Sequence, residues 1–114
     1  MNLKEARILF STLISEHICA INRESVLGLR VKVAKGEGMD RKTEQDPTTD
    51  HMRNSLHESG LAQDLDMYIN GEWQTRTEAH AASGALWESR HPLCRWGGHF
   101  GDGNHYSIEW QGRK

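Results

Sequence analysis

The sequence has few cysteines, no long apolar run and little net charge, and each absence excludes a class of protein. Its 114 residues include two cysteines, Cys19 and Cys94, and no Cys-x-x-Cys pair. This argues against a cysteine-rich zinc knuckle and a disulfide scaffold, so any metal site must use histidine and carboxylate ligands. The formal net charge of -2 provides no strong field for nucleic acid or an anionic membrane, and we expect no nucleic-acid partner.

The amino-terminal stretch MNLKEARILFSTLISEHICAI lacks the features of an export signal. Charged residues interrupt its apolar positions and no small-residue cleavage site follows, so it fits neither a signal peptide nor a membrane span. We therefore expect synthesis in the cytoplasm and no stable membrane insertion. The length predicts one domain, residues 1–114, with a core large enough for a small enzyme.

Hydrophobic periodicity predicts an α+β fold. Apolar residues recur at three- and four-residue steps from Leu3 to Ile21, which is typical of an amphipathic helix. SVLGLRVKV and LAQDLDMYI alternate apolar and polar residues, and this period of two predicts strands. Between them, residues 34–54 carry glycine, proline and dense charge, which indicates a long surface loop.

The second half of the chain continues the same pattern. Asn70-Gly71 is a strong hairpin signal and predicts a returning strand over residues 72–74. Thr77 is expected to cap a helix over residues 78–89. After a glycine-rich stretch, a last strand is expected to begin at about His105.

Two short stretches carry residues that bind metals. SLHESGLAQDLD places His57 and Asp64 seven residues apart, so they can meet at one ion only if the chain bends, which Gly60 allows. GDGNHYS places Asp102 and His105 three residues apart, and a turn between them would bring both side chains to one side. The alternative for each stretch is an ordinary turn with a surface histidine and an exposed aspartate.

Taken together, the two stretches predict a catalytic zinc site. Two neutral imidazoles and one carboxylate are the three protein ligands typical of such a site, with a fourth position left for water. His57, Asp64 and His105 supply this set, and Asp102 remains free. Zinc lowers the pKa of water toward about 7, and a free carboxylate then takes the proton and passes it to the leaving amine.

The same residues match a family pattern. S-x-H-x-x-G-x-A-x-D at residues 55–64, followed by D-x-x-H at residues 102–105, resembles the zinc peptidases that include D-Ala-D-Ala carboxypeptidases, vancomycin-resistance D,D-peptidases and phage L-alanyl-D-glutamate endolysins. Asp102 stands where some members have glutamate. RWGGHFGDGNHYSIEW is more similar still to small phage and prophage lysis enzymes, and the resemblance covers about residues 26–110.

The resemblance implies a structure, an activity and a place of action. It implies a small antiparallel sheet packed with helices, with a zinc site at the sheet edge, as in the D,D-peptidases and hedgehog domains. Zinc would bind His57, Asp64 and His105, and Asp102 would be general base and then acid in hydrolysis of the L-alanyl-D-glutamate bond of peptidoglycan. Such an endolysin would act as a monomer in the periplasm after a holin permeabilises the membrane.

The substrate-binding residues are matched less closely. The family carries an arginine in the loop before the first motif, and Arg41 is the nearest candidate, with Arg53 as a rival. Ser55 would shape this loop or bond near the site. His99 would line the cleft or be an ordinary loop residue, and Asp66 would support a ligand histidine or lie exposed on its strand.

Two other functions remain open at this point. The first keeps the zinc and changes the bond, giving a D,D-carboxypeptidase or dipeptidase that acts on D-Ala-D-Ala. The second is a non-catalytic binding domain stabilised by zinc, as in hedgehog signalling domains. The free carboxylate of Asp102 argues against the second, because a purely structural zinc site does not need one.

Overall fold

The first helix, α1, spans Leu3–Asn22 in the computed structural model, which describes residues 1–36 and 56–114. A capping box begins it: the Asn2 side chain accepts a hydrogen bond from the Glu5 amide, and the Glu5 carboxylate accepts one from the Asn2 amide. Its apolar side packs into the core, so the predicted amphipathic helix is confirmed. Within the described ranges, no helix is long and apolar enough to cross a membrane.

A small antiparallel sheet completes the α+β fold that the sequence predicts. The strands are β1 (Val31–Lys35), β2 (Ala62–Ile69), β3 (Glu72–Gln74), β4 (Cys94–Trp96) and β5 (His105–Ile108), and the second helix, α2, is Ala81–Arg90. The order across the sheet is β1-β2-β5-β4, and β3 also pairs with β2. β2 and β5 are therefore the inner strands.

The hairpin between β2 and β3 forms at the predicted position. Asn70 has φ 54° and Gly71 has φ 80°, the positive values that the tight turn between twisted strands needs. Asparagine and glycine adopt this region at little strain, and the chain returns through Glu72–Gln74 as expected.

The first strand is shorter than predicted, because SVLGLRVKV forms turns before Val31. Ser25 has φ 56° and Gly28 has φ 109°. The Gly28 amide donates to the Ser25 carbonyl at 2.9 Å, and the Val31 amide donates to the Gly28 carbonyl at 3.2 Å. Leu29 is 81% exposed, so the apolar alternation in this half of the stretch does not mark a buried face.

Thr77 does not cap α2, contrary to the prediction from the sequence. A 3-10 turn, Thr77–His80, precedes α2 and makes no side-chain capping bond. The Thr77 hydroxyl instead donates to the Gly101 carbonyl and accepts from the Gly103 amide, both at 3.2 Å. These bonds fix the turn before α2 against residues 101–103, so this threonine has a tertiary role.

The Trp96 indole lies between two glycines. A Cβ atom at Gly84 in α2 would lie 2.2 Å from the indole, and one at Gly98 would lie 2.1 Å from it. Both distances are too short for any side chain, and the Trp96 ring nitrogen donates to the Gly103 carbonyl at 2.7 Å. The indole therefore holds α2 against residues 97–103.

A hydrogen-bonded polar network crosses the core. Arg90 Nε donates to His17 Nδ1 at 2.9 Å, and His17 Nε2 lies 2.9 Å from Ser83 Oγ. The Tyr106 hydroxyl donates to the same oxygen at 2.9 Å and lies 2.7 Å from His80 Nδ1. Because Nδ1 of His17 accepts a hydrogen bond, Nε2 carries the proton of the neutral ring and donates to Ser83. The Tyr106 hydroxyl uses its own proton to donate to Ser83, so its oxygen accepts from His80 Nδ1.

We predict that His17 makes the fold sensitive to acid. Burial and the Arg90 charge lower the pKa of His17 to about 3, whereas an unfolded histidine has a pKa of about 6.5. Between these values only the unfolded chain binds the proton, so the free energy of unfolding is highest above pH 6.5 and falls as the pH drops. The slope is about 1.4 kcal/mol per pH unit.

Urea unfolding at about pH 7 and about pH 5 measures this dependence. Between these two pH values the free energy of unfolding of the wild type should fall by about 2 kcal/mol more than that of a His17→Gln variant. Glutamine keeps a hydrogen-bond donor and an acceptor but does not titrate. His91→Gln is the matched control and should lose as much as the wild type. An equal fall in the free energy of unfolding in the wild type and in His17→Gln would contradict the assignment of the acid sensitivity to His17.

Candidate metal centre

Three side chains from separate segments converge on one point. His57 lies in the turn before β2, Asp64 within β2, and His105 at the start of β5. His57 Nε2 is 3.1 Å from His105 Nδ1 and 3.2 Å from Asp64 Oδ1, and His105 Nδ1 is 4.0 Å from the same oxygen. The structure thus brings together the three residues that the sequence predicts as metal ligands, in a group that could hold an ion.

His57 is positioned by a short turn held against α1. The Gly60 amide donates to the His57 carbonyl at 3.1 Å, and Gly60 has φ 77°. This is the bend that the spacing of His57 and Asp64 requires. Leu56 anchors the turn in the core, and Arg7 Nε of α1 donates to the Ser59 carbonyl at 2.7 Å.

Strand pairing places the other two candidate ligands side by side. Asp64 is the register partner of His105 in the β2–β5 pair, and directly opposed residues project from the same face of a sheet. Asp64 and His105 lie on the inner strands β2 and β5, at the end of the β2–β5 ladder. The predicted zinc site at the sheet edge stays a prediction.

The hydrogen bonds of His105 leave a lone pair facing the cluster. His105 Nε2 is 3.0 Å from the backbone oxygen of Lys114, which only accepts, so Nε2 carries the proton of the neutral ring and Nδ1 does not. The Ser107 hydroxyl donates to the same oxygen. Burial lowers the pKa of His105, although the Lys114 oxygen, Asp102 and Asp64 oppose the shift. A neutral ring with a backbone partner on its far nitrogen is the usual state of a ligand histidine.

One carboxylate oxygen of Asp64 is available to a metal ion. Its Oδ1 is buried and accepts no hydrogen bond from any described residue, although His57 Nε2 is close. Leaving a buried charged oxygen without a partner costs more than the roughly 1–3 kcal/mol of a neutral group. Ligands about 2.0–2.1 Å from a tetrahedral zinc ion lie about 3.3–3.4 Å apart, and the three observed distances bracket this value. The donor atoms therefore fit zinc.

Asp102 lies beside the cluster on an exposed turn. The His105 amide donates to the Asp102 carbonyl at 3.1 Å, so the predicted turn forms, and the carboxylate is close enough to act on the pKa of His105. A Cβ atom at Gly97 would lie 2.3 Å from the Asp102 carbonyl oxygen and 2.7 Å from His105 Cβ. Gly97 thus allows the turn to pack tightly against His105.

The predicted substrate-binding residues have other placements. Arg41, its rival Arg53, and Ser55 lie outside the described residues. His99 is exposed, and its Nε2 is 2.8 Å from Glu88 Oε1 in α2. The structure therefore does not bring His99 together with His57, Asp64 and His105. The substrate-binding role of His99 stays a prediction.

Sequence spacing missed two histidines that the fold uses. His17 and His80 fit no ligand spacing in the sequence, yet both lie in the buried hydrogen-bond network. His17 falls on the apolar side of α1, seven residues after Phe10 and four before Ile21, and this periodicity was the available signal. His80 had no comparable local signal, because its partner Tyr106 is distant in the sequence.

No family model, curated protein or solved structure matches the chain. The candidate site is therefore defined by its own geometry and by the motif residues that form it.

Proposed function

We propose that the protein is a zinc-dependent peptidoglycan peptidase with the D,D-peptidase type of fold, an endolysin that hydrolyses the L-alanyl-D-glutamate bond of the murein stem peptide. The observation that carries this proposal is the convergence of His57 Nε2, Asp64 Oδ1 and His105 Nδ1 within 4.0 Å around a carboxylate oxygen without a hydrogen bond from the described residues. These three residues belong to the two sequence motifs that resemble those of the zinc peptidases.

Each ligand residue has a role that follows from its contacts. His57 and His105 would hold zinc through neutral imidazoles, and Asp64 would contribute the single negative charge. Two neutral ligands and one anion leave a zinc site with net positive charge, which favours Lewis-acid chemistry and lowers the pKa of water. The Lys114 backbone oxygen fixes the orientation of the His105 ring.

Asp102 is suited to move the proton. Its carboxylate is exposed to solvent and near enough to His105 to act on the pKa of that ring, so it would be available to exchange protons with water and with a peptide nitrogen at the site. As general base it would take a proton from the attacking water, and as general acid it would return the proton to the leaving amine. This sequence needs one carboxylate that is not a metal ligand.

The proposed place of action follows from the substrate. Peptidoglycan lies outside the cytoplasmic membrane, so an enzyme made in a host cytoplasm would reach it through a holin lesion. We propose that the protein acts there as a monomer on exposed murein.

Zinc content and lysis test the proposal together. Elemental analysis of the wild type should give one zinc ion per chain, and His57→Ala and His105→Ala should each lose the zinc and the ability to clear outer-membrane-stripped bacterial cells. His99→Ala is the matched control, because this histidine is bound to Glu88; it should keep its zinc. Mass spectrometry of the released peptides should show a new D-glutamate amino group.

The outcomes separate the competing functions. Zinc retained in both alanine variants would overturn the metal site. If the two alanine variants lose zinc but the zinc-bound wild type does not lyse cells, a zinc-stabilised binding domain would be favoured. Release of terminal D-alanine in place of cleavage at D-glutamate would identify a D,D-carboxypeptidase.

A further inference from the structure

A cleft of about 230 Å³ opens where two strands share one edge of β2. β5 pairs with Ala62–Asp64 and β3 pairs with Met67–Ile69, while β1 occupies the opposite edge. The cleft therefore lies at Leu65 and Asp66, between the end of the hairpin and the turn that leads into β5.

The side chains around the cleft have complementary chemistry. Arg76 provides a positive charge, Asp66 and Asp102 provide negative charges, and Trp73 provides an apolar surface that is 62% exposed. Among the described residues that line the cleft, Arg76 is the only permanent cation. A ligand with one charge of each sign fits this lining better than a purely anionic or purely apolar one.

His80 forms part of the lining from below. Its Nδ1 donates to the Tyr106 hydroxyl, which itself donates to Ser83, so the neutral ring keeps an acceptor at Nε2. Burial lowers the pKa of His80, although the Asp66 charge opposes the shift. The buried network thus holds a neutral hydrogen-bond acceptor at the cleft.

Asp102 connects the cleft with the His57–Asp64–His105 cluster, whose three residues do not themselves line the cleft. Asp102 lines it, and the Asp102 carbonyl accepts from the His105 amide at 3.1 Å. A peptide with one side chain in the cleft would therefore have its backbone near Asp102 and the cluster. This continuity points to a substrate subsite and not to a separate ligand site.

We propose that the cleft binds a substrate residue whose side chain ends in a zwitterionic amino-acid group, with the carboxylate at Arg76, the ammonium at Asp66 and the hydrocarbon chain on Trp73. A diaminodicarboxylic acid in the third position of the stem peptide has this chemistry. The assignment rests on the proposed function, because it takes the metal cluster as the site of hydrolysis.

Two tripeptides test the subsite. L-alanyl-γ-D-glutamyl-meso-diaminopimelate carries the zwitterionic end, and L-alanyl-γ-D-glutamyl-L-lysine carries the ammonium without the carboxylate. The zinc-loaded wild type should have a KM about five- to tenfold lower for the first peptide, the value of one charge-assisted contact at an exposed site. Its kcat should be similar for both.

Substitutions at the two charges should affect the peptides differently. Arg76→Ala should remove the preference by raising KM for the diaminopimelate peptide alone. Asp66→Asn should raise KM for both, since both carry the ammonium. Arg23→Ala, at the exposed end of α1, is the matched control and should keep the preference. An unchanged preference in Arg76→Ala would overturn the proposal.

Binding measured without hydrolysis separates this inference from the proposed function. NMR titration of the zinc-loaded protein with each tripeptide should shift the Trp73 indole N–H signal, and the diaminopimelate peptide should bind more tightly. A binding preference without hydrolysis would support the cleft and overturn the peptidase assignment. Hydrolysis of both peptides at equal KM would overturn the cleft and leave the peptidase assignment standing.

Discussion

Asp102→Asn is expected to keep its zinc and to hydrolyse peptidoglycan about 10²–10⁴-fold more slowly than the wild type, the usual contribution of a general base or acid. Asparagine has nearly the same shape as aspartate but cannot take up a proton. The Asp102 side chain is exposed, so the substitution should leave the fold unchanged. Zinc analysis with the turbidity assay gives both quantities on one preparation.

Glu78→Gln is the matched control, because it removes an exposed carboxylate from the turn that precedes α2. It should lyse cells at the wild-type rate. Wild-type lysis by Asp102→Asn would remove the proton-transfer role from this residue. Loss of zinc from Asp102→Asn would instead make Asp102 a ligand.

Zinc should stabilise the wild-type fold strongly, and Asp64→Asn should lose this effect. At a free zinc concentration about a thousand times Kd, binding adds about 4 kcal/mol to the free energy of unfolding, or very roughly 15 °C in Tm for a chain of this size. Asparagine lacks the negative charge of the carboxylate and binds zinc weakly. Thermal unfolding with zinc and with a chelator measures the difference.

The metal-free proteins provide the opposite comparison. Asp64→Asn removes a buried carboxylate that has no hydrogen bond to its Oδ1 from the described residues, so without zinc it should be at least as stable as the wild type. Asp66→Asn, two residues along the same strand, is the control and should keep the full rise in Tm with zinc. The same rise in Asp64→Asn would show that zinc binds elsewhere.

Local patterns were sufficient to predict most of the helices, strands and turns. The period of α1, the Asn70-Gly71 turn and the bend at Gly60 each depend on residues close in sequence, and each formed as expected. The turns within the two motifs were predictable for the same reason, whereas the meeting of Asp64 with His105 follows from the pairing of β2 with β5. The apolar alternation before Val31 led to the wrong prediction of a longer strand, because such alternation occurs in turns as well as in strands.

Features that depend on strand pairing were not predictable. The location of the cluster over the inner strands follows from the Asp64–His105 register, which no local pattern fixes. The cleft at Asp66 exists because β3 and β5 pair with different parts of β2. Arg76 has no motif around it, and only the fold places it in the same cleft as Asp102.

The indole of Trp96 limits how this protein could be engineered. Replacing a helical glycine with alanine is a standard way to raise stability, since alanine favours the helix by about 1 kcal/mol. At Gly84 the added methyl group would collide with the indole at 2.2 Å, so the same replacement would push α2 away from residues 97–103. Because those residues carry Asp102, improving one helix would displace the group proposed to move the proton. A design that changes Gly84 would have to shrink the side chain at position 96 as well.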